Sequence, residues 1–285
     1  MKNNLKTLPV IALFLALIVT FIFGCGSGTS GGGSSSSPTP TPTPTPTSSG
    51  EPSSEDLFFL HHSVGDGLIT GGNMRAEIAA YNSSHGTNFR FWDHGYNSDG
   101  LRDPNGNFTG TNYNIPNDNT DPEGLNYLFT SDSADAASAR AQILNNYGVI
   151  AFKSCFTTAA IPDDATLEEY KNYYLEIRNV FDAHPNQLFV VVSIPPRHRL
   201  ETNAAEAARA REFANWLKSN TFLGGHNNVV CYDLFDELAG ADNFLKYEYE
   251  QDHTVAESHP NDLANQTVGP DFAQFLCTSA ANFNP

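Results

Sequence analysis

Asp56-Leu57-Phe58-Phe59-Leu60-His61-His62-Ser63-Val64-Gly65-Asp66-Gly67 changes character once, between Leu60 and His61. Four consecutive apolar residues, Leu57 to Leu60, read as a short strand buried on both faces. The histidines, serine and glycines that follow place polar groups where such a strand ends. In open α/β folds that carboxyl edge of the sheet is where ligands bind. Ser63 is therefore a candidate nucleophile, although the segment also reads as a Gly-rich turn in which Ser63 caps the next helix.

The rest of the chain repeats the pattern of a buried strand followed by a helix. Asn73 to Tyr81 reads as a short helix, Phe89 to Trp92 as a second strand, and Leu125 to Phe129 and Ala134 to Tyr147 as helices. Gly148 to Phe152 is a third strand, running into Lys153-Ser154-Cys155. A long amphipathic helix over Ala165 to Ala183 precedes a β-branched fourth strand, Leu188 to Ile194, stopped by Pro195-Pro196. A helix over Ala204 to Asn220, a fifth strand over Val229 to Asp233 and a last helix from about Asp262 to Cys277 complete the series. Short apolar strands alternating with helices predict an α/β domain with a parallel sheet covered on both faces. Asp93 to Gly124 is rich in Asn, Asp, Gly and Pro, too long for an ordinary connection, and is expected to be a functional loop or insertion.

Three segments divide the chain. Residues 1–25 carry Lys2 and Lys6, an apolar run from Leu8 to Phe23, and the junction Gly24-Cys25. A basic start and an apolar run make a secretory signal, and the cysteine after Gly24 resembles a bacterial lipobox, so Cys25 is the expected lipidation site. An uncleaved membrane anchor is the other reading, and both place the remainder outside the cytoplasm. Residues 26–54 are Gly/Ser-rich and then Pro-Thr-rich, a composition that cannot bury a core. Pro38 to Thr47 should be extended, at about 3.1 Å per residue, and so reach roughly 30 Å as a spacer. Residues 55–285 are long enough for one domain with a sizeable core. The formal charge of −17 makes nucleic acid an unsuitable partner, since nothing would neutralise its phosphates. Besides Cys25, three cysteines are present, Cys155, Cys231 and Cys277, without a Cys-x-x-Cys pair. At most one disulfide can form; Cys155, near the proposed site, is expected to be unpaired, and any bridge should join Cys231 and Cys277.

A second chemistry-bearing segment is Glu257-Ser258-His259-Pro260-Asn261, just before the last helix. Pro260 disfavours helix at His259, so this imidazole belongs to a loop. In the expected topology that loop and Ser63 both lie at carboxyl ends of strands, and a Ser-His pair is the core of nucleophilic acyl transfer.

These segments resemble the SGNH (GDSL-type) serine hydrolases over Leu57 to about Leu276. His61-His62-Ser63-Val64-Gly65 is similar to the block that carries the family's nucleophile. Tyr96-Asn97-Ser98-Asp99-Gly100-Leu101 resembles the second block, whose glycine N–H helps form the oxyanion hole. His259-Pro260-Asn261 resembles the block carrying the base. The resemblance implies a flavodoxin-like three-layer α/β/α sandwich with a five-stranded parallel sheet. It also implies Ser63 as nucleophile, His259 as general base and Gly100 as oxyanion donor, with Gly95 as second choice. Two positions depart from the family pattern. Where the third block has an Asn that donates to the oxyanion, this chain has Cys155, a poor donor, with Ser154 or Lys153 as neighbouring substitutes. Three residues before His259, where the family has Asp, stands Ala256; Glu257 and Asp252 are the nearby carboxylates, and Glu257 is preferred for its short separation.

Other clusters compete for attention. His61, His62, Asp93 and His94 could form a His/carboxylate metal site, but adjacent strand residues point to opposite faces, and no metal or cofactor is expected. Asp103, Asn105 and Asn107 alternate as calcium ligands do, yet Phe108 stands where such a loop needs Gly. Arg102 and Arg197 read as anion binders or as ordinary salt-bridged arginines. The functional expectation is an extracytoplasmic, lipid-anchored serine esterase acting on carboxylic esters, with acyl groups on glycans as one substrate class. The alternative is a non-catalytic ligand- or glycan-binding lipoprotein on the same fold.

Overall fold

The structure is a computed structural model and describes residues 51–284. The leader with Cys25 and most of the expected spacer lie outside these residues. In chain order the elements are β1 (Asp56–Leu60), α1 (Ser63–Thr70), α2 (Met74–His85), β2 (Arg90–His94), β3 (Leu101–Arg102), α3 (Pro122–Thr130) and α4 (Ala134–Asn146). They continue with β4 (Val149–Lys153), α5 (Asp164–Asp182), β5 (Leu188–Val192), α6 (Ala204–Leu217), α7 (Asn220–Leu223), β6 (Val229–Tyr232), α8 (Leu234–Leu238) and α9 (Asp262–Asn282).

The strands form one sheet in the order β3-β2-β1-β4-β5-β6. Every pairing is parallel except β2 with β3. The sheet thus has six strands where five were expected. The sixth, β3, is a two-residue antiparallel edge formed inside the Asn/Asp-rich loop, too short to leave an apolar pattern. The five parallel strands follow the flavodoxin-like doubly wound order, whose switch point lies between the carboxyl ends of β1 and β4.

β1, β4 and β5 are buried throughout, as the continuous apolar runs required. Alternate residues serve two cores. Phe58, Leu60, Ile150, Phe152, Phe189 and Val191 face a layer in which α3, α4, α5 and α6 supply Leu128, Ile143, Phe181 and Phe213. Leu57, Phe59, Val149, Ala151, Val190 and Val192 face the opposite layer, where α1, α2 and α9 supply Leu68, Ile78, Val268 and Phe272. Helices on both faces make the three-layer sandwich.

The helix α1 was not expected as a separate element, because Gly65 and Gly67 lower helix propensity. Its packing explains it. A Cβ on Gly72 would stand 2.5 Å from the Asn265 carbonyl oxygen and 2.6 Å from the Gly269 Cα, and one on Gly269 would meet the Gly72 Cα at 2.6 Å. The segment following α1 and the body of α9 therefore meet backbone to backbone, a contact only hydrogen-sized side chains allow. Ser63 begins α1 and His259 stands three residues before α9, so this contact sets how the two approach.

Candidate active site

Ser63 is the first residue of α1, directly past the carboxyl end of β1. The N–H groups of a helix's first turn have no intrahelical acceptor and carry partial positive charge. His62 precedes the helix with an extended backbone and makes no side-chain cap. The nucleophile candidate thus stands among free donors.

His259 approaches from the other end of the chain. Asn261 begins α9 by accepting the Ala264 N–H at 3.1 Å, and its own amide donates to the carbonyls of Glu248 and Glu250 at 2.9 and 3.0 Å. One residue before His259, Ser258 Oγ accepts the His198 N–H at 2.9 Å and donates to the Glu201 carboxylate. Arg197, one of the candidate anion binders, is paired with that same carboxylate at 3.6 Å. Phe156 packs edge-on against the imidazole, with ring centroids 4.9 Å apart.

These supports bring His259 Nε2 to 2.7 Å from Ser63 Oγ. On its far side, Nδ1 lies 2.5 Å from Glu257 Oε1, which also accepts the His259 backbone N–H at 2.9 Å. That backbone bond leads the causes that hold the Glu257 carboxyl below its ordinary range, so it is ionised at neutral pH. Asp252 is turned away, its carboxylate accepting the N–H and hydroxyl of Thr254, both at 2.7 Å.

A cleft of about 520 Å³ opens beside Ser63. Its wall includes His62, Asp66, Arg75, Gly95, Tyr96, Asp99 and Arg102. Gly100 is not part of it. The Gly100 N–H donates to the Tyr96 carbonyl at 3.0 Å, and the residue sits at φ +60° in a turn closed over by Phe108. Its expected place in the oxyanion hole is corrected on this point, because a donor engaged inside a turn is not free for substrate. Gly95, the second choice, lines the cleft together with Ser63.

Ser154 is fully buried and its hydroxyl has no hydrogen-bond partner among the described residues, while Cys155 is half-buried and packed against the core on the α9 side. Neither lines the cleft with Ser63. Lys153 is wholly buried at the end of β4, and its ammonium donates to the Ser154 carbonyl at 3.1 Å. Burial pushes this amine down to about 8. All three cysteines among the described residues are free thiols, including Cys231 and Cys277, for which a bridge was the conditional expectation.

The histidines grouped in sequence stay close, with the His61 N–H donating to the His94 carbonyl at 3.0 Å, but their rings turn to different partners. His61 places Nε2 3.1 Å from Asp93 and Nδ1 2.9 Å from the His62 carbonyl. Asp93 also pairs with Arg75. Burial raises the Asp93 carboxyl, but the His61 hydrogen bond, with the His61 and Arg75 charges, outweighs it and holds the group low. His94 bonds the Gly95 carbonyl at 2.9 Å. His62 turns elsewhere, stacking on Tyr96 with centroids 4.0 Å apart. The carboxylate of Asp103 accepts the N–H groups of Asn105 and Asn107 at 2.9 and 2.8 Å, which accounts for that alternation as a local turn. Arg102 lies over the Phe108 ring at 5.9 Å and lines the cleft.

No family model and no curated protein matches the chain. Among solved structures it is similar in outline to a provisionally assigned platelet activating factor from Streptococcus pneumonia, at 14% identity and TM-score 0.46, covering 81% of this chain and 86% of that one. It is likewise similar to a GDSL-like lipase from Bacteroides thetaiotaomicron, at 9% identity and TM-score 0.44, covering 79% and 89%. A provisionally assigned acylhydrolase from Bacteroides fragilis gives 11% identity and TM-score 0.43, covering 81% and 91%. Likeness this slight transfers no residue role, and the chemistry of the site rests on its own geometry.

Proposed function

We propose that this chain is a serine ester hydrolase of the SGNH type. The observation that carries the reading is the continuous hydrogen-bonded series from Ser63 Oγ through the His259 imidazole to the Glu257 carboxylate. In the proposed reaction His259 Nε2 takes the Ser63 proton as Oγ attacks the ester carbonyl, then returns it to the leaving alcohol. Glu257 holds the Nδ1 proton and stabilises the imidazolium that forms. The N–H groups of Ser63 and Gly95 face the developing oxyanion. Water then attacks the acyl-enzyme by the same route, releasing the acid and restoring Ser63.

The cleft wall mixes carboxylates, arginines and the half-exposed Tyr96 ring. That lining supports a polar alcohol, and acyl groups carried on glycans are the proposed substrate class. With the leader and Pro-Thr spacer of the sequence, the proposed setting is extracytoplasmic, anchored through lipid on Cys25.

The test is a fluorophosphonate probe on the purified chain, with mapping of the labelled residue. Labelling at Ser63, together with loss of small-ester turnover in Ser63→Ala, is the expected result. A folded wild-type chain that takes no label would instead support the non-catalytic binding protein.

A further inference from the structure

The carboxylate of Glu250 has no exposed surface, and the proposed reaction does not use it. A charge so placed is costly unless donors surround it. Oε1 accepts the Arg199 Nε–H at 2.8 Å. Oε2 accepts the His253 Nδ1–H at 2.8 Å and lies 3.2 Å from the Nε2 of the buried His198. The His198 tautomer is fixed, because its Nδ1 receives the Leu200 N–H at 3.1 Å, which leaves the ring proton on Nε2, towards the carboxylate. Burial raises the Glu250 carboxyl, but the Arg199 hydrogen bond and, after it, the His253 hydrogen bond outweigh burial and hold the group low.

The same residues hold the loop that carries Glu257 and His259. At its start stands His253, on Glu250 Oε2. One residue before His259, Ser258 Oγ receives the backbone N–H of His198 at 2.9 Å. At its end the Asn261 side-chain amide donates to the Glu250 carbonyl at 3.0 Å, and the Asn261 N–H to the Tyr249 carbonyl at 2.9 Å. Between these ties Gln251 to Ala256 are exposed, so burial does little to shape the stretch that leads to Glu257. Its course depends on where its ends are held, and Glu250 touches both.

We infer that Glu250 is a positioning residue for the proposed hydrolysis: its buried carboxylate anchors this loop so that His259 stands between Ser63 and Glu257. The inference rests on the esterase reading above. An amide cannot take its place. Each carboxylate oxygen faces an N–H group, so whichever way a glutamine side chain is turned, its NH2 meets a donor.

Glu250→Gln tests this at nearly constant shape. With a small ester, kcat should fall about 10- to 10²-fold and KM stay within about threefold, because displacement of about 1 Å at the base is enough. A double-mutant cycle with Glu257→Gln separates positioning from lost stability. If Glu250 acts through the Glu257–His259 pair, the same change made in the Glu257→Gln background should cost less than about threefold. Wild-type kcat in folded Glu250→Gln, a loss confined to KM, or a cycle in which the two losses simply multiply would each overturn the inference. If Glu250→Gln does not fold, the same three results are read on His253→Phe. That change lies at a part-exposed side chain, keeps a flat ring against Tyr247 and removes the N–H from Oε2. Fluorophosphonate labelling of the wild-type chain is read alongside. A wild type whose Ser63 takes no label refutes the esterase reading and this one with it, whereas a labelled wild type with an unaltered Glu250→Gln rate refutes this one alone.

Discussion

Glu257 reaches His259 across a single intervening residue, and the same carboxylate oxygen receives both the ring and the backbone N–H. One oxygen holding two groups of one residue fixes the imidazole's tilt as well as its tautomer. Glu257→Gln should therefore reduce kcat by up to ~10⁴, as loss of the orienting acid can in serine hydrolases. Asp252→Asn should leave kcat near wild type, since that side chain serves Thr254. Steady-state kinetics of both variants, with circular dichroism to confirm folding, checks the pair; a large loss in Asp252→Asn alone would reverse the assignment. At this scale the sequence was informative where a side chain's placement follows from its immediate neighbours. Ser63 after a buried strand, His259 held out of helix by Pro260, and Glu257 two residues from His259 were all legible. The Gly100 assignment failed because whether an N–H is free depends on which carbonyl the chain folds beside it, here Tyr96.

Among the elements, α1 and α9 matter most to the site because each positions one member of the Ser63–His259 hydrogen bond. Their approach through Gly72 and Gly269 leaves no room for a methyl, and the atoms in the way are backbone. Gly269→Ala should force the helices apart, costing about 1–3 kcal/mol of stability as overpacking does. It should also lower kcat by roughly 10- to 10²-fold, because displacement of about 1 Å is enough to disrupt such a pair. Asn203→Ala is the contrast. It removes the capping box at the start of α6, on the other face of the sheet. It should cost about 1 kcal/mol and leave kcat unchanged. Thermal melts and kinetics on both variants separate positioning from general destabilisation; equal effects on kcat would refute the positioning role. The parallel strands were readable because burial on both faces makes them apolar throughout. By contrast, β3 is two residues in a polar loop, and α1 packs on α9 through Gly67 against Asn265 and, just past its end, Gly72 against Gly269, contacts that helix propensity does not foretell.

For the whole molecule, the buried Lys153 ties stability to pH. Its ammonium is pushed down to about 8 by burial. From there up to the ordinary lysine range the unfolded chain holds more protons than the folded one, so stability attributable to this residue rises with pH across that window. Below it the full cost of burying the charge is felt, on the order of a few kcal/mol. Lys153→Met should accordingly melt higher than wild type near pH 7, with the gap closing towards pH 10, at roughly 2–4 °C per kcal/mol. Scanning calorimetry at both pH values checks the sign, and a gap that widens with pH would show that the lysine is instead favoured when charged.

Ser63 and His259 are 196 positions apart. Ser63 stands at the first crossover of the sheet, and His259 lies in the loop that leads into the last helix. A chain emerging from its amino end can complete β1, β2 and β4 and cover one face of the sheet while Ser63 still lacks its His259 partner. Only when α9 closes the second core do Ser63 and His259 meet. Under the proposed hydrolase reading, turnover would begin only after that closure. The 196-position separation makes the Ser63–His259 contact one of the last to form as the fold is completed.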